Sequence, residues 1–211
     1  PFIMQADGRS WLYVPQGLED GPLPTHYEPH ESPFGNRLYS QRANPRRQVE
    51  KDEYNPPQSD VYPYVVTTYR LTEHHTAGGM TRTVPYLAEL QPEMFCEVHP
   101  DLAREVGLEH GGWATVYTAR SAIEARVLVT ERMKPLRMNG ELVHQVGLPY
   151  HFGKRGLVTG DSANDLAHLA LDPNVHIQEV KAFTCGIRPG RRPRGAELPR
   201  FVARMREKAG S

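Results

Sequence analysis

A run of β-branched and aromatic residues at positions 61–69 (VYPYVVTTY) passes without a break into RLTEHHTAGGMTR, and this junction constrains the fold more than any other feature of the chain. The first half has the composition of a strand. The second half carries Arg, Thr, Glu, two adjacent His and a Gly-Gly pair, so the strand ends in a loop whose polar groups stand on a rigid base. Arg70 and Arg82 offer planar forks for phosphate, the Thr hydroxyls donate or accept, and Gly78-Gly79 admits close backbone approach. Such a set suits a large anionic ligand rich in hydrogen-bonding groups. It equally suits a polar strand end on a solvated rim, because no short motif with a known mechanism is matched.

The rest of the chain reads as short elements between frequent breakers. Its 19 Pro and 18 Gly imply much irregular backbone. Residues 1–60 read as an extended arm in which each Pro removes a backbone donor. Trp11, Leu12, Tyr13, Tyr27, Phe34 and Leu38 make that arm too apolar for a free tail, so it lies on a surface supplied by other residues or another chain, and 41–60 read as a polar linker. Downstream, the pattern predicts a helical turn at 86–90, a strand at 94–98, and a helix that starts at Pro100 and is ended by Gly107. A Gly111-Gly112 turn and strands at 114–118 and 122–130 follow, then a loop at 134–140 and a strand at 141–148. Beyond a polar-aromatic corner at 150–153 come one or two helical turns within 162–169, capped by Asp161 or Ser162, and a last strand at 181–187. Six or seven short, unevenly spaced strands with few helices imply a mainly β barrel rather than a wound α/β sheet. The tail 191–211 begins basic and turns amphipathic, with Phe201, Val202 and Met205 at helical spacing, and is predicted to dock on a neighbour.

At 211 residues, one well-buried domain with extensions is expected. A formal net charge of 0 argues against general attraction to nucleic acid or anionic membranes, so any phosphate binding is local. Cys96 and Cys185 sit in apolar contexts without metal-ligand spacing; they read as buried strand thiols, with a disulfide between them left open. No run of about 18 apolar residues and no apolar signal core occurs, so direct membrane insertion is not expected. The chain begins at Pro1 without an initiator Met, as a fragment, a processed product or a partial subunit would.

No motif of an autonomous active site is present: no G-x-S-x-G, H-E-x-x-H, P-loop or G-x-G-x-x-G. His74 and His75 on a strand would point to opposite faces and could not share a metal ion unless the loop twists. Glu73 beside His74 reads as an acid–base pair or, more simply, as part of a hydrogen-bonding network.

The string TTYRLTEH, followed by QPEMF, VTERMKPLRMNG, VGLPYHFG and an Asn-containing stretch ending EVKAF, resembles the C-terminal part of the large subunit of molybdenum- or tungsten-dependent formate dehydrogenases, in the dimethyl sulfoxide reductase family. The resemblance runs from about residue 8 to 187 and rests on several blocks in matching order. It implies a double-psi β-barrel at 61–190, between the arm 1–60 and the tail 191–211, that grips one of two molybdopterin guanine dinucleotides. By position, Thr68, Arg70, Leu71, Thr72, Glu73 and His74 inherit contacts with the pterin and diphosphate, and His151, Phe152, Asn164, Asn174 and Lys181 align with positions near the pterin. After the EH pair this chain departs from some relatives in loop length. The resemblance places catalytic residues, metal ligand and iron–sulfur cluster on the missing upstream part, so these residues alone would not oxidise formate. It further implies the remainder of the large subunit and an iron–sulfur electron-transfer subunit as partners; no nucleic-acid partner is expected, and the compartment is left open, with periplasmic favoured over cytoplasmic. Two other readings stand beside it: a non-catalytic β-barrel that binds proteins through its arm and tail, and the last domain of another molybdopterin oxidoreductase such as a nitrate reductase.

Overall fold

The structure, a computed structural model, describes residues 6–9, 17–19, 31–35, 54–178 and 181–210. The predicted arm therefore lies largely outside the described residues, and with it Trp11, Leu12, Tyr13, Tyr27 and Leu38.

Six strands close a barrel in the order β1-β7-β2-β4-β3-β8: β1 (Tyr64–Tyr69), β2 (Phe95–Val98), β3 (Trp113–Tyr117), β4 (Ala122–Val129), β7 (Gln145–Pro149) and β8 (Ala182–Pro189). The pairs β1/β7 and β2/β4 are parallel and the other four antiparallel. This is the double-psi arrangement that the resemblance implied. Alternation fills the interior: Val66, Cys96, Val98, Val116, Ile123, Val146, Leu148 and Phe183 are sealed from solvent in one core. Both cysteines are buried, free thiols on β2 and β8.

The pairing fixes which ends share a rim. β1, β7 and β3 run one way and β2, β4 and β8 the other, so the chain leaving β1, β7 and β3 emerges where β8 begins. Every predicted site residue lies at the end of β1, after β7, or just before β8.

The helical expectations correspond to α1 (Pro85–Leu90) and α2 (Pro100–Val106), the latter with Pro at its first turn and Gly107 at φ 80° as its C-cap. Ser162 caps a single 3-10 turn, Ala163–Asp165. Two strand expectations need correction. The stretch 134–140, predicted as a loop, contains β5 (Leu136–Met138), which turns through Asn139 and Gly140, both at positive φ, into β6 (Glu141–Val143). The predicted strand 141–148 is therefore split: β6 pairs with β5 outside the barrel, whereas β7 sits inside it.

The tail is corrected too. Helix α3 (Glu197–Ala209) docks on this chain's own barrel, burying Phe201 and Val202 against Ala122 with Tyr117, Leu198 and Met205 around them. Its approach is fixed by Arg192, bidentate to Asp161 (Nη2–Oδ1 2.8 Å), and by Arg194 on Glu124 (2.7 Å). Ahead of β1, Glu31 and Asn55 also pack on the barrel. Glu31 is buried and accepts from the Asn55 backbone N–H (2.8 Å) and Nδ2 (3.0 Å), from the Thr184 N–H (3.2 Å) and from Arg120, while Asn55 Oδ1 accepts from the Ala119 N–H. Asn55, inside the stretch read as a linker, is thus a buried part of the barrel wall.

Candidate functional site

The loop 70–83, leaving β1, is held against the corner 150–157, leaving β7, by three devices. First, His151 is buried with both ring nitrogens spent on loop backbone: Nε2 accepts from the Leu71 N–H (2.6 Å), and Nδ1–H donates to the Thr76 carbonyl (2.6 Å). That pattern defines a neutral imidazole. Burial first, then the charges of Arg70 and His74, hold its pKa below the usual 6.5, against the raising effects of the Thr76 carbonyl and Glu73.

Second, Gly78 sits at φ 73°, where a Cβ would overlap the carbonyl oxygen of His151. The glycine therefore serves contact between loop and corner; its expected close approach is to protein and not to ligand. Third, Arg82 is buried and gives its Nε–H to the Gly78 carbonyl (3.1 Å) and Nη1 to the carbonyls of Gly153 (3.0 Å) and Arg155. The backbone answers with Leu157 N–H to the Arg82 carbonyl (2.8 Å). Most of the guanidinium fork read as a phosphate ligand is spent inside the protein.

The predicted residues then divide by exposure. His74 is buried, its ring 5.9 Å from those of both His151 and Phe152, and Phe152 joins the barrel core. His74 Nδ1 meets Thr81 Oγ1 (3.2 Å), but Nε2 is sealed from solvent with no hydrogen-bond partner. A buried polar atom left unpaired costs about 1–3 kcal/mol, so this nitrogen asks for an acceptor or donor that the described residues do not supply. Its neighbour His75 is exposed, in a loop and not a strand. Arg70, Thr72 and Lys181 are exposed, and their side chains make no hydrogen bond among the described residues; the Arg70 guanidinium stacks on Tyr150 at 4.5 Å. Lys181 reaches this rim through its carbonyl, which accepts from the Thr68 N–H (3.3 Å). Leu71 and Glu73 are half-buried within the loop.

Asn164 and Asn174 lie in the connection from β7 to β8, which leaves and rejoins the same rim. The Asn164 N–H bonds Ser162 Oγ (3.2 Å), and Asn174 Oδ1 accepts from the Glu19 N–H (2.8 Å). That connection is tied to the β3–β4 turn by Leu166, whose carbonyl accepts from Thr118 Oγ1 (3.1 Å) and Arg120 Nε (2.8 Å). The structure thus gathers Thr68, residues 70–74, His151, Phe152 and Lys181 at one rim; Asn164, whose side chain is exposed, and Asn174, bonded to Glu19, sit in the connection that leaves and rejoins it. Arg82 and Gly78, read from the sequence as a phosphate fork and a close backbone approach, join that rim mainly through bonds and contacts to the loop and corner. Their signal was the Gly-Gly-x-x-Arg spacing, which places a backbone approach and a fork one turn apart.

The family described as "Molydopterin dinucleotide binding domain" matches residues 64–184, from the first residue of β1 into β8. The chain belongs to this family. Over 195 residues it is 40% identical to the protein named formate dehydrogenase subunit alpha of Megalodesulfovibrio gigas, covering 88% of this chain and 18% of that one. Over 192 residues it is 41% identical to the nitrate-inducible formate dehydrogenase major subunit of Escherichia coli, covering 89% and 19%. A more distant relative, the F420-dependent formate dehydrogenase subunit alpha of Methanocaldococcus jannaschii, is 32% identical over 120 residues, 57% of this chain and 16% of that one. The chain thus spans under a fifth of the length of these relatives, which are alpha or major subunits of enzymes with further subunits. The molybdopterin cofactor of the resemblance is the cofactor of the family, and the polar groups at the rim that lack a protein partner among the described residues fit it: a buried imidazole nitrogen for a ring donor or acceptor, and exposed cations for phosphoryl oxygens.

Proposed function

We propose that this chain is the C-terminal, cofactor-gripping part of a formate dehydrogenase large subunit, holding one of two molybdopterin guanine dinucleotides at the rim where β1, β7 and β3 end. The observation that carries this reading is the unpaired His74 Nε2 with exposed Arg70 and Thr72 on a loop locked by His151, and exposed Lys181 bonded to Thr68 at the same rim. Arg70 and Lys181 supply the positive charge for phosphoryl oxygens, and Thr72 and Glu73 supply donors and acceptors for the pterin edge. His151 and Phe152 hold that loop in place rather than touching the ligand, because His151 has no free nitrogen. When bound, the cofactor supplies a molybdenum or tungsten centre at which formate gives up two electrons and becomes carbon dioxide. The residues that handle formate, the iron–sulfur cluster and the second dinucleotide's main site belong to the remaining polypeptide, and an iron–sulfur subunit takes the electrons onward. In this reading 1–60 is the wrapping arm, 61–190 the gripping barrel and 191–211 its docked tail, and the assembled enzyme works in the periplasm.

The test is Arg70→Ala in the complete enzyme. Arg70 is exposed, so folding is unaffected, and pterin and metal content fall sharply; unchanged content in a folded variant refutes the reading.

A further inference from the structure

Asp161 stands where barrel, corner and tail meet. β4 runs past the start of β2, which pairs from Phe95 opposite Arg126, so Glu124 lies on an open edge of the barrel. The Glu124 N–H on that edge donates to Asp161 Oδ2 (2.9 Å). The same carboxylate takes Arg192 of the tail through Nη2 (2.8 Å) and Nε, and the two side chains are only 12% and 17% exposed. Burial raises the pKa of Asp161, but the bonds from Arg192 and from the Glu124 N–H outweigh it and hold the carboxyl below its usual range.

From Asp161 a short path leads to the loop after β1. Gly160 donates its N–H to the Gly153 carbonyl (3.1 Å), which also accepts from Arg82 Nη1 (3.0 Å). A Cβ on Gly160 would stand 2.7 Å from the Met94 Cβ and 3.4 Å from the Phe152 Cβ, so this backbone is pressed against the residue whose ring meets His74 edge-on. Gly153 in turn lies two residues past His151, whose ring nitrogens hold Leu71 and Thr76. Docking the tail does not by itself require Asp161. Phe201 and Val202 bury against Ala122, and Arg191 and Arg194 reach Glu124 on the barrel wall. Arg192 alone of these arginines reaches across to the connection that follows the corner.

We propose that Asp161 and Arg192 are a positioning pair through which the docked tail sets the corner 150–160 and, through it, the loop 70–74. The inference rests on the cofactor reading above for what that loop holds, and gives the tail a part in the grip.

The experiment uses the complete enzyme and reads hydrogen–deuterium exchange on peptides covering 68–75, 157–164 and 197–209, together with pterin retained through gel filtration. Arg192→Met removes the fork and keeps an apolar stem. Should it fail to fold, Asp161→Asn/Arg192→Met, which leaves neither charge unpaired, decides. Arg200→Ala, which breaks only an exposed pair with Glu197 on α3, is the control. The expected result is exchange about tenfold faster over both 157–164 and 68–75, with pterin lost about tenfold faster; Arg192→Lys is intermediate and Arg200→Ala unchanged. Faster exchange confined to 197–209, with 68–75 unaltered, reduces the pair to a tail anchor and overturns the proposal. So does unchanged pterin retention in a folded variant whose 68–75 exchange has risen. Failure of the cofactor reading looks different: the parent enzyme carries no pterin while exchange over 68–75 still responds to Arg192→Met.

Discussion

Replacing His151 with Phe keeps a buried ring of similar size while removing both bonds that lock the loop to the corner. The Leu71 N–H and the Thr76 carbonyl, now bonded at 2.6 Å each, lose their buried partner in a part-buried setting. Each lost bond is worth about 1 kcal/mol net, and each buried group left unpaired adds up to about 1–3 kcal/mol, partly relieved as the loop opens to water. The expected loss is about 2–4 kcal/mol, a fall in Tm of roughly 5–15 °C for a chain of this size. The pH dependence has a defined sign. The folded pKa of His151 lies below its ordinary 6.5, so the unfolded chain binds the extra proton first. Stability from this group is complete above about 6.5 and is lost as pH falls through that value toward the folded pKa, with a slope of at most about 1.4 kcal/mol per pH unit. Thermal melts from pH 8 to 5 with amide exchange at Leu71 measure both effects. His151→Phe should flatten this part of the pH profile and speed Leu71 exchange. A Tm change below about 1 °C, or an unaltered exchange rate, would refute the idea that His151 is the lock.

Other variants probe the parts around it. Gly78→Ala forces a left-handed φ and drives a methyl into the His151 carbonyl, so it should cost more than about 2 kcal/mol in urea unfolding, against nearly nothing for Gly79→Ala. Glu31→Gln breaks one side of a buried ion pair with Arg120 and should cost about 3–5 kcal/mol, which an unchanged urea midpoint would rule out. Phe201→Ala removes the main anchor of α3, with its edge contact to Tyr117 and the stacked Arg188, and should cost about 3 kcal/mol with loss of helical circular dichroism. Lys181→Ala, exposed and without a protein partner among the described residues, should leave the melt within about 0.5 kcal/mol of the parent while weakening cofactor retention in the complete enzyme.

Local rules carried the helices and most strands. Pro100 and Gly107 bracket α2, and Ser162 caps its turn, because caps are decided by neighbours in sequence. The β5–β6 hairpin was legible and overlooked: Asn139-Gly140 is a strong two-residue hairpin signal, masked by the charged, exposed residues around it. The break at His144 was legible as well, since Val143 and Val146 are both buried three apart, a phase that no single strand alternation allows. The burial of Glu31, Asn55 and Arg82 was not legible. Their partners lie 24 to 153 residues away for Glu31 and 71 to 73 away for the Gly153 and Arg155 carbonyls on Arg82, and no local pattern marks a charged side chain that closes a distant contact. At the site, strand composition and polar loop together located the rim. Which residues on it face a ligand and which lock the loop depended on the parallel β1/β7 pairing, which sets residue 70 beside residue 150.

The most direct test is a count of guanine nucleotide released from the complete enzyme after cofactor extraction, compared between the parent and the double variant Arg70→Ala/Lys181→Ala. If this barrel grips one of two dinucleotides, the folded double variant releases about half the guanine nucleotide per large subunit. Release equal to the parent's would contradict the account.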